Sequence, residues 1–88
     1  MGYVEVVGAE VSGGEVARLR VRMHGLPLRT IDRAAALQWM VDGHSLVPVV
    51  HGAIQPALQV VEVGEARFIR CDHQPIASDA LPDLPGVG

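Results

Sequence analysis

The stretch Ile31–Val50, IDRAAALQWMVDGHSLVPVV, decides the fold. Its first half places Ala34, Leu37 and Val41 at i, i+3 and i+7, with Ala36 and Met40 on the adjacent row, which is the period of an amphipathic helix. Thr30 is the expected N-cap, and Asp32 falls in the first turn, where the helix dipole favours negative charge. Gly43, after Asp42, supplies the left-handed residue on which a helix ends. The second half, His44 to Val50, returns as a strand through Leu46, Val47, Val49 and Val50. A helix over residues 31–42 running straight into a strand is therefore predicted.

Upstream, Tyr3 to Val11 and Val16 to Met23 alternate in the manner of half-buried strands. Gly13-Gly14 between them suits a two-residue type I′ turn, in which both central residues take positive φ. Counting back from that turn sets Ser12 opposite Glu15, Glu5 opposite Arg22, Val6 opposite Val21 and Val4 opposite Met23. The register gathers Val4, Val6, Leu19, Val21 and Met23 on one face. Glu5, Arg18, Arg20 and Arg22 fall on the other, beside Val7, Ala9 and Val11. Glu10 is the misfit: strict alternation sends it to the apolar face unless it sits at the sheet rim or a bulge near Gly8 turns it outward.

Downstream, His51-Gly52-Ala53 turns the chain into a fourth strand, Ile54 to Val63, with Pro56 marking its start as an edge or bulge. Gly64-Glu65 turns it again into Ala66 to Cys71. Pro75, Pro82 and Pro85 make the rest irregular, although Ile76, Leu81 and Leu84 are apolar enough to pack back. The expectation is an α+β fold in ββαβββ order, a mostly antiparallel four- to five-stranded sheet with one helix packed on one face. Residues 1–74 form the single domain and residues 75–88 a Pro-rich C-terminal tail packing back on it. Leu37 and Val41 are expected to meet Leu19 and Val21 in the helix-on-sheet core.

Three stretches carry a family resemblance: Leu37-Gln38-Trp39-Met40-Val41-Asp42-Gly43, the strand pair through Phe68-Ile69-Arg70, and Ala80-Leu81-Pro82-Asp83-Leu84-Pro85. Together with the N-terminal hairpin they resemble a small bacterial family, the domain of unknown function 3892, over nearly the whole chain. The resemblance implies the same architecture. It brings no activity and no catalytic residue.

Composition narrows the function. Eighty-eight residues make one small domain with a limited core. At 49% hydrophobic and 19% charged residues the chain is too apolar for disorder, and its apolar runs are too often interrupted to span a bilayer. Glu5 and Glu10 stand where a signal peptide would be apolar, and the Gly2 start lacks the hydroxyl that myristoylation wants. The single cysteine, Cys71, forms no internal disulfide. A cytoplasmic protein without membrane attachment is expected. The net charge of −3, with every one of the seven bases an Arg, gives no overall attraction for nucleic acid.

Three groups remain as candidates for chemistry. Arg18, Arg20 and Arg22 form a stripe with about 6.5–7 Å between neighbours, suited to an anion or to an acidic partner surface. No aromatic side chain interleaves with them, so a stacking platform for single strands is missing. Cys71 and His73 share a strand face, but at roughly 7 Å they are too far apart for direct thiol activation, and no oxyanion hole is apparent. With His44 and His51 the pair could complete a Cys/His₃ metal shell, although the spacing is not that of structural zinc sites. Trp39 and Tyr3 are the large amphipathic rings available to cover the rim or anchor a partner. The reading is a small interaction or accessory module that self-associates as a homodimer, with no cofactor and, on balance, no enzymatic activity. A polyanion binder through the arginine stripe, or a metal or thiol site at Cys71 and His73, are the alternatives.

Overall fold

The computed structural model describes residues 3–82 and 84–86. The Met1-Gly2 start, Asp83 of the Leu-Pro element and the last two residues of the tail lie outside the described residues. The elements run β1 (Tyr3–Ser12), β2 (Glu15–Arg22), β3 (Arg29–Asp32), α1 (Arg33–Val41), β4 (Ser45–Val50), β5 (Ala53–Ile54), β6 (Gln59–Val63) and β7 (Ala66–Arg70). The protein is α+β, with one helix, a five-stranded sheet in the order β3-β2-β1-β4-β5 and a separate hairpin of β6 and β7. The sheet is antiparallel except where β1 runs parallel to β4.

The β1–β2 hairpin turns on Gly13 and Gly14, both at positive φ, and pairs Ser12 with Glu15, Val6 with Val21 and Glu5 with Arg22. Two compensating register shifts, a bulge between Val6 and Gly8 and a second between Glu10 and Val11, change the faces of the segment between them. Ala9 moves opposite Leu19 and into the core, while Glu10 moves opposite Arg18 on the outer face. Of the two explanations for Glu10, the structure selects the bulge. It also removes Ala9 from the arginine face, where uninterrupted alternation had put it.

The ββαβββ order is corrected at two places. Residues 29–32 form an additional strand on the edge of β2, pairing Leu19 with Ile31 and Arg20 with Thr30. Ile31 is buried as a strand residue, and the helix starts two residues later than the period suggested. Its N-cap is Asp32, whose carboxylate accepts the N–H of Ala35 at 2.8 Å, so the acid placed in the first turn is the cap itself and Thr30 is not. Residues 54–63 do not form one strand either. Pro56, unable to donate to a ladder, separates β5, which closes the main sheet through the His51-Gly52 turn, from β6, which starts the second hairpin.

The helix ends in a Schellman motif. His44 N–H donates to Trp39 C=O at 3.0 Å and Gly43 N–H to Met40 C=O at 3.1 Å, with Gly43 at φ 100°. The helix packs against β2, β3 and β4 on one side and β6 on the other. Ala36 is its fully buried residue, with Ala35, Leu37, Trp39 and Met40 partly buried around it, while Ala34 is exposed and Val41 is 53% exposed. The seam therefore runs through the row next to the one the spacing favoured. The later start of the helix and its contact with two sheets turn Ala36 and Met40 inward. The core comprises Val4, Val6, Ala9, Val16, Leu19, Val21, Ile31, Ala36, Leu46, Leu58 and Ile69.

Deleting a buried branched side chain from so small a core should be felt strongly. Leu19→Ala is expected to cost about 2–5 kcal/mol in a reversible urea melt. Val41→Ala, at a half-exposed site, should change stability by less than about 1 kcal/mol. Equal effects of the two would contradict this packing.

Candidate functional site

Residues paired directly across a ladder project to the same face, so the register also maps the side of the sheet away from the helix. Arg22 and Glu5 share a row with Val47, Arg20 shares one with Gly8 and Thr30, and Arg18 shares one with Glu10 and Asp32. Val49 and Ile54 continue the face on β4 and β5. Val47 is only 7% exposed yet lies outside the core cluster, as befits a residue of this second face. Ile54 is 68% exposed and Tyr3 about half exposed. The face is thus an ionic field on β1 and β2 beside a small apolar field on β4 and β5.

Within the ionic field, Arg22 Nε donates to Glu5 Oε1 at 2.8 Å, and Arg18 Nη2 donates to Glu10 Oε1. Arg20, opposite side-chain-free Gly8, has no carboxylate partner among the described residues. Arg22 thus keeps the Glu5 that the turn register gives it, the shifted segment brings Glu10 to Arg18, and Arg20 is left without an acid. A cleft of about 380 Å³ opens at the end of this face, lined by Tyr3, Glu5, Arg22, Met23, His24, Gly25 and Leu26.

Arg70 is buried and closes on the loop that follows it. Its Nε and Nη2 donate to the two oxygens of Asp72 at 2.7 and 3.0 Å, and its Nη1 donates to Ser78 C=O at 2.8 Å. The hydrogen bonds from Arg70 hold the Asp72 carboxyl below its ordinary pKa against partial desolvation. Cys71, half-buried, donates its N–H to Ala80 C=O, and His73 is exposed. His44 and His51 stand at opposite ends of β4, on the order of 20 Å apart along an extended strand, so they do not converge on Cys71 and His73. Among the described residues no three His, Cys, Asp or Glu side chains are placed to hold a metal ion. Trp39 lies between Arg29, whose guanidinium is 5.6 Å from the ring centroid, and the tilted ring of His44 at 6.2 Å.

Asp79, which the sequence did not single out, is with Arg70 one of the two most heavily bonded side chains described. Its carboxylate is 1% exposed. Oδ2 accepts Val16 N–H at 2.8 Å and Arg33 Nε at 2.9 Å, and Oδ1 accepts Ile69 N–H at 2.9 Å and Arg33 Nη2 at 3.0 Å. Arg33 Nη2 also donates to Arg67 C=O at 2.7 Å, and its guanidinium stacks over Phe68. One carboxylate thus joins β2, the first turn of α1 and β7. Around it, Ala80 pairs with Arg70 as an added parallel bridge, Leu81 and Leu84 pack against the core, and Pro85 C=O accepts Ala9 N–H at 2.8 Å. Ile76, expected to pack with them, is about half exposed. A cleft of about 530 Å³ lies between β1 and this segment, lined by Ala9, Val11, Val16, Leu81, Pro82 and Leu84, with Asp79 at its wall. With both oxygens saturated, Asp79 has no lone pair ready for proton transfer. One signal was available once the helix start is fixed at Arg33: a cation in a first turn that holds no acid stands against the dipole and is favoured by an acidic partner from elsewhere.

No helix of the described residues is long and apolar enough to cross a membrane. Comparison with family models, curated proteins and solved structures finds no match.

Burial pushes the Asp79 carboxyl up, and the hydrogen bonds from Arg33, Val16 and Ile69 outweigh it, leaving the pKa below the ordinary value. A depressed folded-state pKa gives stability that is fully present above the unfolded value, about 3.9, and is lost as pH falls through the folded one. Asp79→Ala should cost about 3–5 kcal/mol at neutral pH. Asp79→Asn, which turns an NH₂ toward two donors, should flatten the acid limb of the stability–pH curve below about pH 4. An acid limb in Asp79→Asn identical to that of the parent would remove Asp79 as its source.

Proposed function

We propose that this protein is a small interaction module that associates with a second copy of itself through the open face of the five-stranded sheet. The observation that supports it is the asymmetry of the sheet. One face is sealed by α1 and the β6–β7 hairpin, while the other carries Arg20 without an acid of its own, the paired Glu5–Arg22 and Glu10–Arg18, and the apolar Val7, Val49 and Ile54. Kinship with the domain of unknown function 3892 belongs to the same proposal and adds no activity to it.

The accessible surface, 5238 Å², is close to the roughly 5,000 Å² expected of a folded monomer of this mass, so the chain closes its core unaided. Association is then an addition to a folded unit. Five strands spaced about 4.8 Å apart and about 17 Å long offer roughly 400 Å² of projected face per copy, about half of what each partner buries in a standard specific complex. The complex is accordingly weak and exchangeable. A polyanion site has less behind it, since two of the three guanidinium groups already face carboxylates. A thiol or metal site has less still, given the separation of the histidines and the engagement of Asp72.

Light scattering or sedimentation between micromolar and millimolar concentration should show the mass rising from one chain toward two. Arg20→Glu should stay monomeric with an unchanged melting temperature. A wild-type chain that remains a monomer throughout would overturn the reading.

A further inference from the structure

The distribution of charge on the open face sets the geometry of the association, an inference that rests on that face being the interface. Its ion-paired acids, Glu5 and Glu10, lie on β1, and its bases, Arg18, Arg20 and Arg22, lie on the neighbouring β2; Asp32, in the row of Arg18 on the edge strand β3, is engaged as the cap of α1, and Glu15 stands beside the hairpin turn. We propose that the two copies are related by a twofold axis running along the strands between β1 and β2, so that Arg20 of each chain pairs with Glu10 of the other.

A rotation about such an axis lays the acid strand of one copy over the base strand of its partner at the same height along the strand. A twofold perpendicular to the strands would instead superpose β1 on β1 and β2 on β2, acid over acid and base over base. The favourable arrangement is the usual aligned packing of sheets about 10 Å apart. In it Arg20 lies above Gly8 of the partner, where no side chain blocks it. That partner's Glu10 is two residues farther along, about 7 Å, within reach of an extended guanidinium. Val7, the extra residue of the bulge, sits next to the axis and supplies apolar contact beside the arginine stems. The remaining pairs, Glu5–Arg22 and Glu10–Arg18, become links in a network spanning both copies. A contact of this composition is strengthened by low salt and weakened by screening.

The test is charge exchange. Arg20→Glu and Glu10→Arg are made as separate, differently tagged chains, each checked by thermal melt, and their masses are measured alone and mixed at about 50 and 500 mM salt. Each variant alone should weaken association about tenfold or more, since each sets like charges against each other twice. The mixture should restore a heterodimer, and salt should loosen both it and the wild-type dimer. If Glu10→Arg fails to fold, Glu10→Gln replaces it and is expected to weaken the wild-type dimer without restoring the mixture. A wild-type dimer with no heterodimer from two folded charge variants, or with indifference to both Arg20→Glu and Glu10→Gln, overturns the pairing and leaves the face as interface. A monomeric wild-type chain overturns both.

Discussion

The Asp79 carboxylate is the constraint on which the rest of the structure depends. A buried carboxylate is costly unless its oxygens are filled by donors. Here four donors meet it, from the start of β2, the first turn of α1 and β7. These elements come from both sheets and the helix between them, so the side chain fixes the β6–β7 hairpin relative to the main sheet, to which no strand ladder joins it. Hydrophobic burial is non-directional and could hold the hairpin against α1 in several orientations. Four hydrogen bonds of fixed geometry select one.

That explains which parts of the fold could be read from the sequence. The two ends of the β1–β2 register were legible because two independent local signals, the Gly13-Gly14 turn and the apolar alternation, give the same pairing of Glu5 with Arg22, whereas the shift of Gly8–Glu10 between them has no such signal. The helix and its Gly43 stop were legible for a similar reason, period and cap agreeing. Its start was not. Thr30 and Asp32 are both competent caps, and the choice between them depends on whether Ile31 is drawn into a strand on the edge of β2, which is a tertiary event. The split at Pro56 was flagged as an edge or bulge, but the separation of β6 from the main sheet follows from where Asp79 and the helix hold β7. Asp79 itself lies between Ser78 and Ala80 in a segment without period, turn signature or charge pattern, where nothing marks one acid above another. Only Arg33, once the helix start is fixed there, hints from afar at an acidic partner.

The candidate surface shows the same division. Three arginines at period two were plain in the sequence, and that they share a face follows from strand geometry. What decides their chemistry is a pair of compensating register shifts, at Val7 on β1 and at Ala17 on β2, because the segment between them carries Glu10 across to Arg18 and Ala9 into the core. Without them the stripe would be more cationic, a plausible anion site. With them the face carries acids and bases on adjacent strands, with a single guanidinium left over. Two local one-residue irregularities, one on each strand, thus change the charge pattern of the face.

The same accounting bears on catalysis. General acid–base or nucleophilic chemistry needs a titratable group that is held in place yet keeps a free lone pair or proton for substrate. The strongly positioned acids described here, Asp72 and Asp79, have their oxygens engaged by arginines and backbone N–H groups. Both are held below the ordinary carboxyl range, away from the neutral values that proton transfer favours. Cys71 and His73, the residues with suitable chemistry, flank the Asp72 that Arg70 has already claimed. Positioning in this molecule is therefore invested in holding the fold together. The sheet face is where both charge and apolar surface stay accessible to a second molecule.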